Sequence, residues 1–357
     1  MAKAAIVREL NGPVEIVDAT IGEPGPGQVK IKTSVAGVCH SDLSVQNGTI
    51  PWMFPAILGH EGAGIVSAVG EGVDSHKVGD HVIFNWVPFC GECTYCKRGE
   101  TWLCGQGYGL GLVPAQIEGG MAFPMAATGT FCEEAVVHKS SAIKIADDVP
   151  LDVAALVGCG VTTGVGAAIN TAKVTPGSNV LVIGCGGVGM NVIQGAKING
   201  AKAIVAMDRF ENKAEEARQF GATHTATPDT IDAVKAEVTG MEGGFDYAFE
   251  VIGNSKTIRA AFDHTRKGGT TCIVGLGRAE DMVEFSSLEF FLKDARIMGC
   301  VYGSSAVDKD YQRFLDHWKK GELNLEGLIS KHIALEDLPS AFEAMERGEV
   351  IRSVINF

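Results

Sequence analysis

Four cysteines crowd into 15 residues: Cys90-Gly-Glu-Cys93-Thr-Tyr-Cys96 and then, after seven more positions, Cys104. Four thiolates this close can converge on one tetrahedral ion and leave no position for water, which is how a structural Zn2+ site is built. The rival is an iron–sulfur cluster, since ferredoxin-type ligands also use C-x2-C-x2-C. That pattern expects a shorter last gap followed by proline, and here Gly105 follows. Disulfides would need an oxidising setting that nothing in the sequence indicates. Zinc with four thiolates carries net negative charge, which Lys97 and Arg98 are placed to offset.

A second set is scattered. Cys39 opens Cys-His-Ser-Asp, His60 precedes Glu61, and Cys159 stands in GCGVTTG, each among glycines at the end of an apolar stretch. Two thiolates and one imidazole would hold Zn2+ with the fourth position open to water or substrate. Spacing alone leaves that reading level with three ordinary core residues.

A third group has a different chemistry. The apolar run NVLVIG leads into Gly184-Cys185-Gly186-Gly187-Val188-Gly189, and an apolar helical pattern follows. Gly184 makes the tight turn, Gly186 lets backbone approach a pyrophosphate and Gly189 allows close packing, with the phosphates at the helix N-terminus. In a chain with 46 Gly the pattern alone is weak. It is strengthened by Asp208, which ends the next apolar run where a carboxylate would accept hydrogen bonds from an adenosine ribose. That carboxylate repels a 2′-phosphate and favours NAD(H), although Arg209 beside it could receive the extra phosphate.

These groups need elements to position them. The chain has 357 residues, about two domains' worth, and is 46% hydrophobic and 20% charged, which excludes a disordered chain. Thirty Lys and Arg against 43 Asp and Glu give a net charge of −13, which argues against nucleic acid or a membrane as partner. The start, MAKAAIVREL, has no long apolar core, and no apolar run is expected to approach a membrane span. A cytoplasmic location is the expectation. The first 150 residues read as short strands and turns. From about Thr171, apolar runs alternate with helical segments, which reads as βαβ repetition and a parallel sheet. Two amphipathic helices and IRSVINF close the chain. The expected layout is a β-rich zinc-binding domain over 1–160, a doubly wound dinucleotide-binding domain over 161–301 and a return segment over 302–357.

In combination and order, GVCHSD, GHEGAG, the four-cysteine lobe, GCGVTTG, GCGGVG with Asp208, FDYAFEVIGN and IRSVINF resemble the zinc-dependent medium-chain alcohol dehydrogenases along essentially the whole chain. The resemblance implies an α/β protein with a GroES-like β-rich catalytic domain and a Rossmann doubly wound parallel sheet. It implies two Zn2+ per chain, one catalytic on Cys39, His60 and Cys159 and one structural on Cys90, Cys93, Cys96 and Cys104. Glu61 would lie behind the catalytic metal, and Asp42 would fix the ring of His60. Ser41 would hydrogen-bond the substrate oxygen and relay its proton. His40 and Arg352 would reach the cofactor pyrophosphate, and Thr163, Gly187, Val188, Lys213 and Val274 fall at further cofactor contacts.

The implied activity is reversible hydride transfer between an alcohol and NAD(H) through a zinc-bound alkoxide. Many members carry a histidine three residues after the relay hydroxyl. Here that position is Ser44, which can pass a proton but cannot store one, so the relay is expected to end in water. Ile50, Trp86, Leu276 and Val301 would line an apolar pocket for primary, aromatic or otherwise apolar alcohols. The stretch GLVPAQIEGGMAFPMAATGTF lacks the arginine of the glutathione-dependent members. A homodimer is expected by analogy. Two other readings stand beside these: a dehydrogenase that keeps its NAD(H) tightly bound, and a non-catalytic NAD-binding structural or regulatory protein.

Overall fold

The structure, a computed structural model, describes residues 1–240 and 243–357. The chain divides into two compact units, the first comprising Met1–Gly160, Ala306–Asp316 and Leu328–Phe357, and the second Val161–Ser305 and His317–Gly327.

In the first unit, β1 (Ala2–Val7), β2 (Val14–Thr20), β4 (Ala56–Ile57), β7 (Ala115–Ile117) and β8 (Gly120–Pro124) close a barrel in the order β1-β2-β7-β8-β4. Strand alternation explains how so short a chain serves two cores. Ala2, Ala4 and Ile6 of β1 enter one apolar cluster, and Ala5 and Val7 enter the other. Beside the barrel lies a sheet ordered β10-β6-β5-β3-β18-β17, with β9 paired to β3. Its strands are β3 (Gln28–Gly37), β5 (Glu61–Val69), β6 (His81–Phe84), β9 (Glu134–His138), β10 (Ala142–Lys144), β17 (Ile329–Ile333) and β18 (Arg352–Asn356). Strand β18 comes from the C-terminal segment yet pairs antiparallel with β3, Val354 opposite Gly37. That pairing carries Arg352 to the end of β3, close to where Cys39 leaves it.

The second unit is built on β11 (Asn179–Ile183), β12 (Ala203–Met207), β13 (His224–Ala226), β14 (Phe245–Glu250), β15 (Thr265–Ile273) and β16 (Arg296–Gly299). Their order is β13-β12-β11-β14-β15-β16 and every pair is parallel. Counted along the sheet this is 3-2-1-4-5-6, the doubly wound order in which ligands bind outside the carboxyl ends of the strands. Strands β11 and β12 are almost wholly buried, which is why they read as unbroken apolar runs.

Two features depart from the sequence expectations. The segment after Val301 does not return wholly to the first unit, because the second runs on to Ser305 and also takes His317–Gly327. Leu323 and Leu325 are buried there, and Asn324 N–H donates to Gln194 Oε1 at 2.6 Å. Second, Leu151–Thr171 forms 21 consecutive helical residues of mean hydropathy 1.6, long and apolar enough in composition to cross a membrane. Glycine, threonine and asparagine within it hide that length from a simple scan, and 89% of the apolar window is buried inside the protein, as in a core helix.

Candidate functional site

Among the described residues, two clusters gather metal-ligating side chains: Cys90, Cys93, Cys96 and Cys104, and Cys39, His60 and Cys159. In each cluster the ligand atoms all lie within 4.8 Å of one another.

The four-cysteine lobe is built by short turns. Its Sγ atoms are 3.6 Å apart for Cys90 and Cys104, 3.5 Å for Cys93 and Cys96, and 3.9 Å for both Cys90–Cys96 and Cys93–Cys104. Four sulfurs bound tetrahedrally at 2.3 Å from zinc would stand about 3.8 Å apart, so the donor set fits that ion. A disulfide would bring two sulfurs to about 2.05 Å, and all ten cysteines are free. Backbone supplies the electrostatics. The N–H groups of Glu92 and Cys93 donate to Cys90 Sγ at 3.4 and 3.3 Å, and these bonds pull its thiol down to about 6. Burial and the Cys93 thiol push Cys96 up to about 12.

The triad is assembled from three distant segments. Cys39 caps α1 (His40–Gln46), and Asp42 in the first turn of α1 accepts Cys39 N–H on Oδ2 at 2.8 Å. The other oxygen of Asp42 takes His60 Nδ1 at 2.8 Å, which leaves Nε2 facing the ligand position. His60 precedes β5. Cys159 lies in a wide π-type turn, Val157–Val161, that follows the α-helical stretch Leu151–Leu156. Such turns recur at functional sites because they re-aim a side chain. Nε2 of His60 is 3.2 Å from Cys159 Sγ. Two sulfurs and one nitrogen at this separation fit zinc with a position left open. The Cys39 thiol is drawn well below its ordinary value by its hydrogen bond with Cys159 and, against burial, by Arg352 and His60.

Behind the triad sits a buried ion pair. Glu61 Oε2 accepts Gly160 N–H at 3.0 Å, and Oε1 lies 3.5 Å from Arg352 Nε. Arg352 also donates to Val38 O at 2.8 Å. A Cβ at Gly160 would meet Arg352 Nη2 at 2.5 Å, so a side chain here would displace the guanidinium. Burial lifts Glu61 to about 7 even though the Arg352 charge works against that rise. The Arg352 guanidinium that the resemblance sets at the cofactor phosphates lies against Glu61 and Val38 O, a pairing that leaves the phosphate role a proposal and that the sequence reading did not include. No local spacing could reveal this pairing, because the partners are 291 positions apart.

The remaining predicted residues divide by position. The Cys39 thiol lies 3.8 Å from Ser41 Oγ, and Ser44 follows one turn later on α1, while His40 is exposed. Trp86 meets the His60 ring edge to face at 6.1 Å and 88°. It packs with Ile50 against the apolar cluster that also holds Trp52 and Phe54, which the sequence reading did not single out. In the second unit, Leu276 is 59% and Val301 50% exposed.

The dinucleotide loop has the expected form. Gly184 has φ +102°, a conformation that favours glycine. Gly186 precedes α2 (Gly187–Ile198), which has no side-chain cap, so its first N–H groups face the open space in front of the helix. Gly189 packs so closely that a Cβ would meet Gly184 O at 1.8 Å. Asp208 is held by the loop itself, accepting Cys185 N–H on Oδ2 at 2.8 Å and Phe210 N–H on Oδ1 at 3.0 Å. Each oxygen keeps further acceptor capacity. Arg209 stacks its guanidinium over Phe210 at 4.6 Å. Lys213 is buried and pairs with Glu216 at 3.1 Å. Thr163, Val188 and Val274 are half-buried.

Comparisons with known proteins agree with this geometry. Residues 25–147 match the family described as alcohol dehydrogenase GroES-like domain, and residues 187–320 the family described as zinc-binding dehydrogenase. The chain is 39% identical to a class-3 alcohol dehydrogenase of Drosophila melanogaster, over 99% of this chain and 97% of that one. It is 35% identical to an S-(hydroxymethyl)glutathione dehydrogenase of Paracoccus denitrificans, over 99% of each. The solved benzyl alcohol dehydrogenase from Acinetobacter calcoaceticus superposes with a TM-score of 0.92 at 30% identity, covering 100% of this chain and 99% of that one.

Proposed function

The chain belongs to the zinc-dependent medium-chain alcohol dehydrogenases, NAD-dependent oxidoreductases that use Zn2+ and NAD(H), and we propose that its substrates are primary, aromatic or otherwise apolar alcohols and their carbonyl counterparts. The observation that carries this is the Trp86 ring standing edge-on against His60, with Ile50, Trp52 and Phe54 on the same apolar cluster. A polyol in such surroundings would leave hydroxyls unpaired. The likeness to a benzyl alcohol dehydrogenase supports the same reading.

Cys39, His60 and Cys159 would hold the catalytic zinc, and the four-cysteine lobe the structural one. When bound at the triad, zinc supplies a Lewis acid that acidifies an alcohol or polarises a carbonyl. The protein's own groups do the rest. Asp42 keeps Nδ1 of His60 protonated and Nε2 free as a ligand. Glu61 and Arg352 balance charge behind the thiolates. Ser41 Oγ would accept the alcohol's proton while releasing its own, and Ser44, one turn on, would pass that proton to water, each hydroxyl ending as it began. The uncapped N-terminus of α2 receives the pyrophosphate. Asp208 accepts ribose hydroxyls and rejects a 2′-phosphate, and Thr163, Gly187, Val188, Lys213 and Val274 complete the cofactor contacts, with His40 toward the phosphates. By the resemblance alone, Leu276 and Val301 are further candidates for substrate contact. We further propose a homodimer through the outer edge of β16, the last strand of its sheet among the described residues, with Leu288, Phe291 and Leu292 exposed on the segment that precedes it in the chain.

The test is turnover of a substrate panel followed by NADH absorbance. Benzylic and aliphatic alcohols should exceed polyols by about tenfold or more in kcat/KM, the cost of a buried unpaired hydroxyl. Preference for S-(hydroxymethyl)glutathione or for a polyol would sink the substrate assignment.

A further inference from the structure

Helix α3 (Val307–Lys319) carries Tyr311, a bulky residue only 1% exposed, within the stretch Ala306–Asp316 of the first unit. Its hydroxyl points at two carbonyl oxygens from different elements: Phe84 O at 3.2 Å and Gly158 O at 3.4 Å. A hydroxyl has one hydrogen, so the two acceptors share it in a three-centre bond. Both acceptors adjoin the site. Phe84 ends β6 two residues before Trp86, and Gly158 immediately precedes Cys159 inside the wide turn. The two backbones touch, since a Cβ on Gly158 would meet Phe84 O at 3.1 Å. Two carbonyl dipoles directed at one point repel each other unless a donor stands between them.

We propose that Tyr311 is a positioning residue of the metal triad: its hydroxyl clasps the carbonyls of Phe84 and Gly158 and so sets how Cys159 and Trp86 approach His60. This rests on reading Cys39, His60 and Cys159 as a metal site. The wide turn explains the need. A turn with one extra residue is looser than an α-helical turn, and Cys159 must hold its sulfur to within a few tenths of an ångström for a short metal bond. Packing alone places the ring, and the hydroxyl adds the directional restraint.

The test is transfer of zinc from the purified holoprotein to a chromophoric chelator, 4-(2-pyridylazo)resorcinol. Cys159→Ala and Cys104→Ala assign the two release phases to the triad and to the four-cysteine lobe. Tyr311→Phe keeps the ring and removes only the hydroxyl. It should speed release from the triad about tenfold, the usual effect of losing a group that orients a ligand, and leave release from the lobe unchanged. The same variant should lower kcat more than it raises KM. Equal acceleration of both phases would mark a merely structural tyrosine and overturn the proposal, as would no acceleration. If Cys159→Ala released as much zinc as the unaltered protein, the metal assignment itself would fall, by an observation independent of Tyr311.

Discussion

Cys90, Cys93, Cys96 and Cys104 come from 15 consecutive residues, and three of them are only half-buried; Cys39, His60 and Cys159 come from three segments and are each 6% exposed or less. Their supporting atoms differ as much as their burial. In the lobe, sulfur is held by backbone N–H groups of its own turns, from Glu92, Cys93 and Cys90. At the triad the support is side chains brought from afar: Asp42 on His60, Glu61 against Gly160, and Arg352 behind both. A closed site needs only its own loop, whereas an open one must replace the missing fourth ligand with a rigid surround that keeps the remaining three from collapsing or rearranging. On the proposed reading, the same sulfur chemistry would serve stability in one place and reactivity in the other.

The widest separation between the two should come from Cys159→Ala. It should lower kcat/KM about a thousandfold, corresponding to several kcal/mol of lost transition-state stabilisation, and leave one zinc per chain with the thermal midpoint within about 4 °C of the parent. Retained activity would break the comparison. Next in size, Cys104→Ala should also leave one zinc per chain, but it should cost about 3 kcal/mol or more of unfolding free energy. Turnover per folded molecule should remain. Denaturant titration and active-site counting separate the two effects, and lost turnover in fully folded protein would show that the lobe is not purely structural.

The smallest effect concerns how the lobe is moored. Phe89 N–H, next to Cys90, donates to Ser140 Oγ at 2.9 Å, and Ser140 in turn donates its N–H to His138 Nδ1 at 3.2 Å. Burial, with Lys139 adding to it, holds His138 below its ordinary pKa. The folded protein therefore favours the neutral ring, and the unfolded chain takes up a proton first as pH falls. The contribution to stability is complete above about 6.5 and is lost as pH drops from there through the folded value. Between pH 7.5 and 5.5, the fall in thermal midpoint should be about 2 °C smaller in His138→Gln than in the parent. An identical fall in both would remove His138 from the mooring.

What was legible in the sequence follows the same division. The lobe, the glycine loop and the strands of the second unit are local patterns, in which residue type and spacing along a few turns already determine geometry. Residue type and spacing left Cys39, His60 and Cys159 level with ordinary core residues and the family resemblance decided between the two, because their convergence depends on β3, β5 and the helix around Leu156 lying together. The Arg352 pairing with Glu61 and the Tyr311 clasp were not readable at all. Both depend on residues delivered by the C-terminal segment to surfaces made much earlier in the chain, and neither leaves a periodic or compositional trace. The placement of His317–Gly327 with the second unit was missed for the same reason, since two buried leucines in a loop look like any other short apolar pair.

The chain separations of the two ligand sets carry a consequence for how the protein acquires metal. Closing a loop costs entropy that grows with the logarithm of its length, and the span from Cys39 to Cys159 is roughly eightfold that from Cys90 to Cys104, a difference of about 2 kcal/mol. The lobe can therefore capture an ion while the rest of the chain is still disordered. The triad cannot do so until the sheet and the wide turn exist. Under metal scarcity the first ion is therefore expected at the lobe, leaving a folded, singly loaded protein that one further ion would convert to the working enzyme.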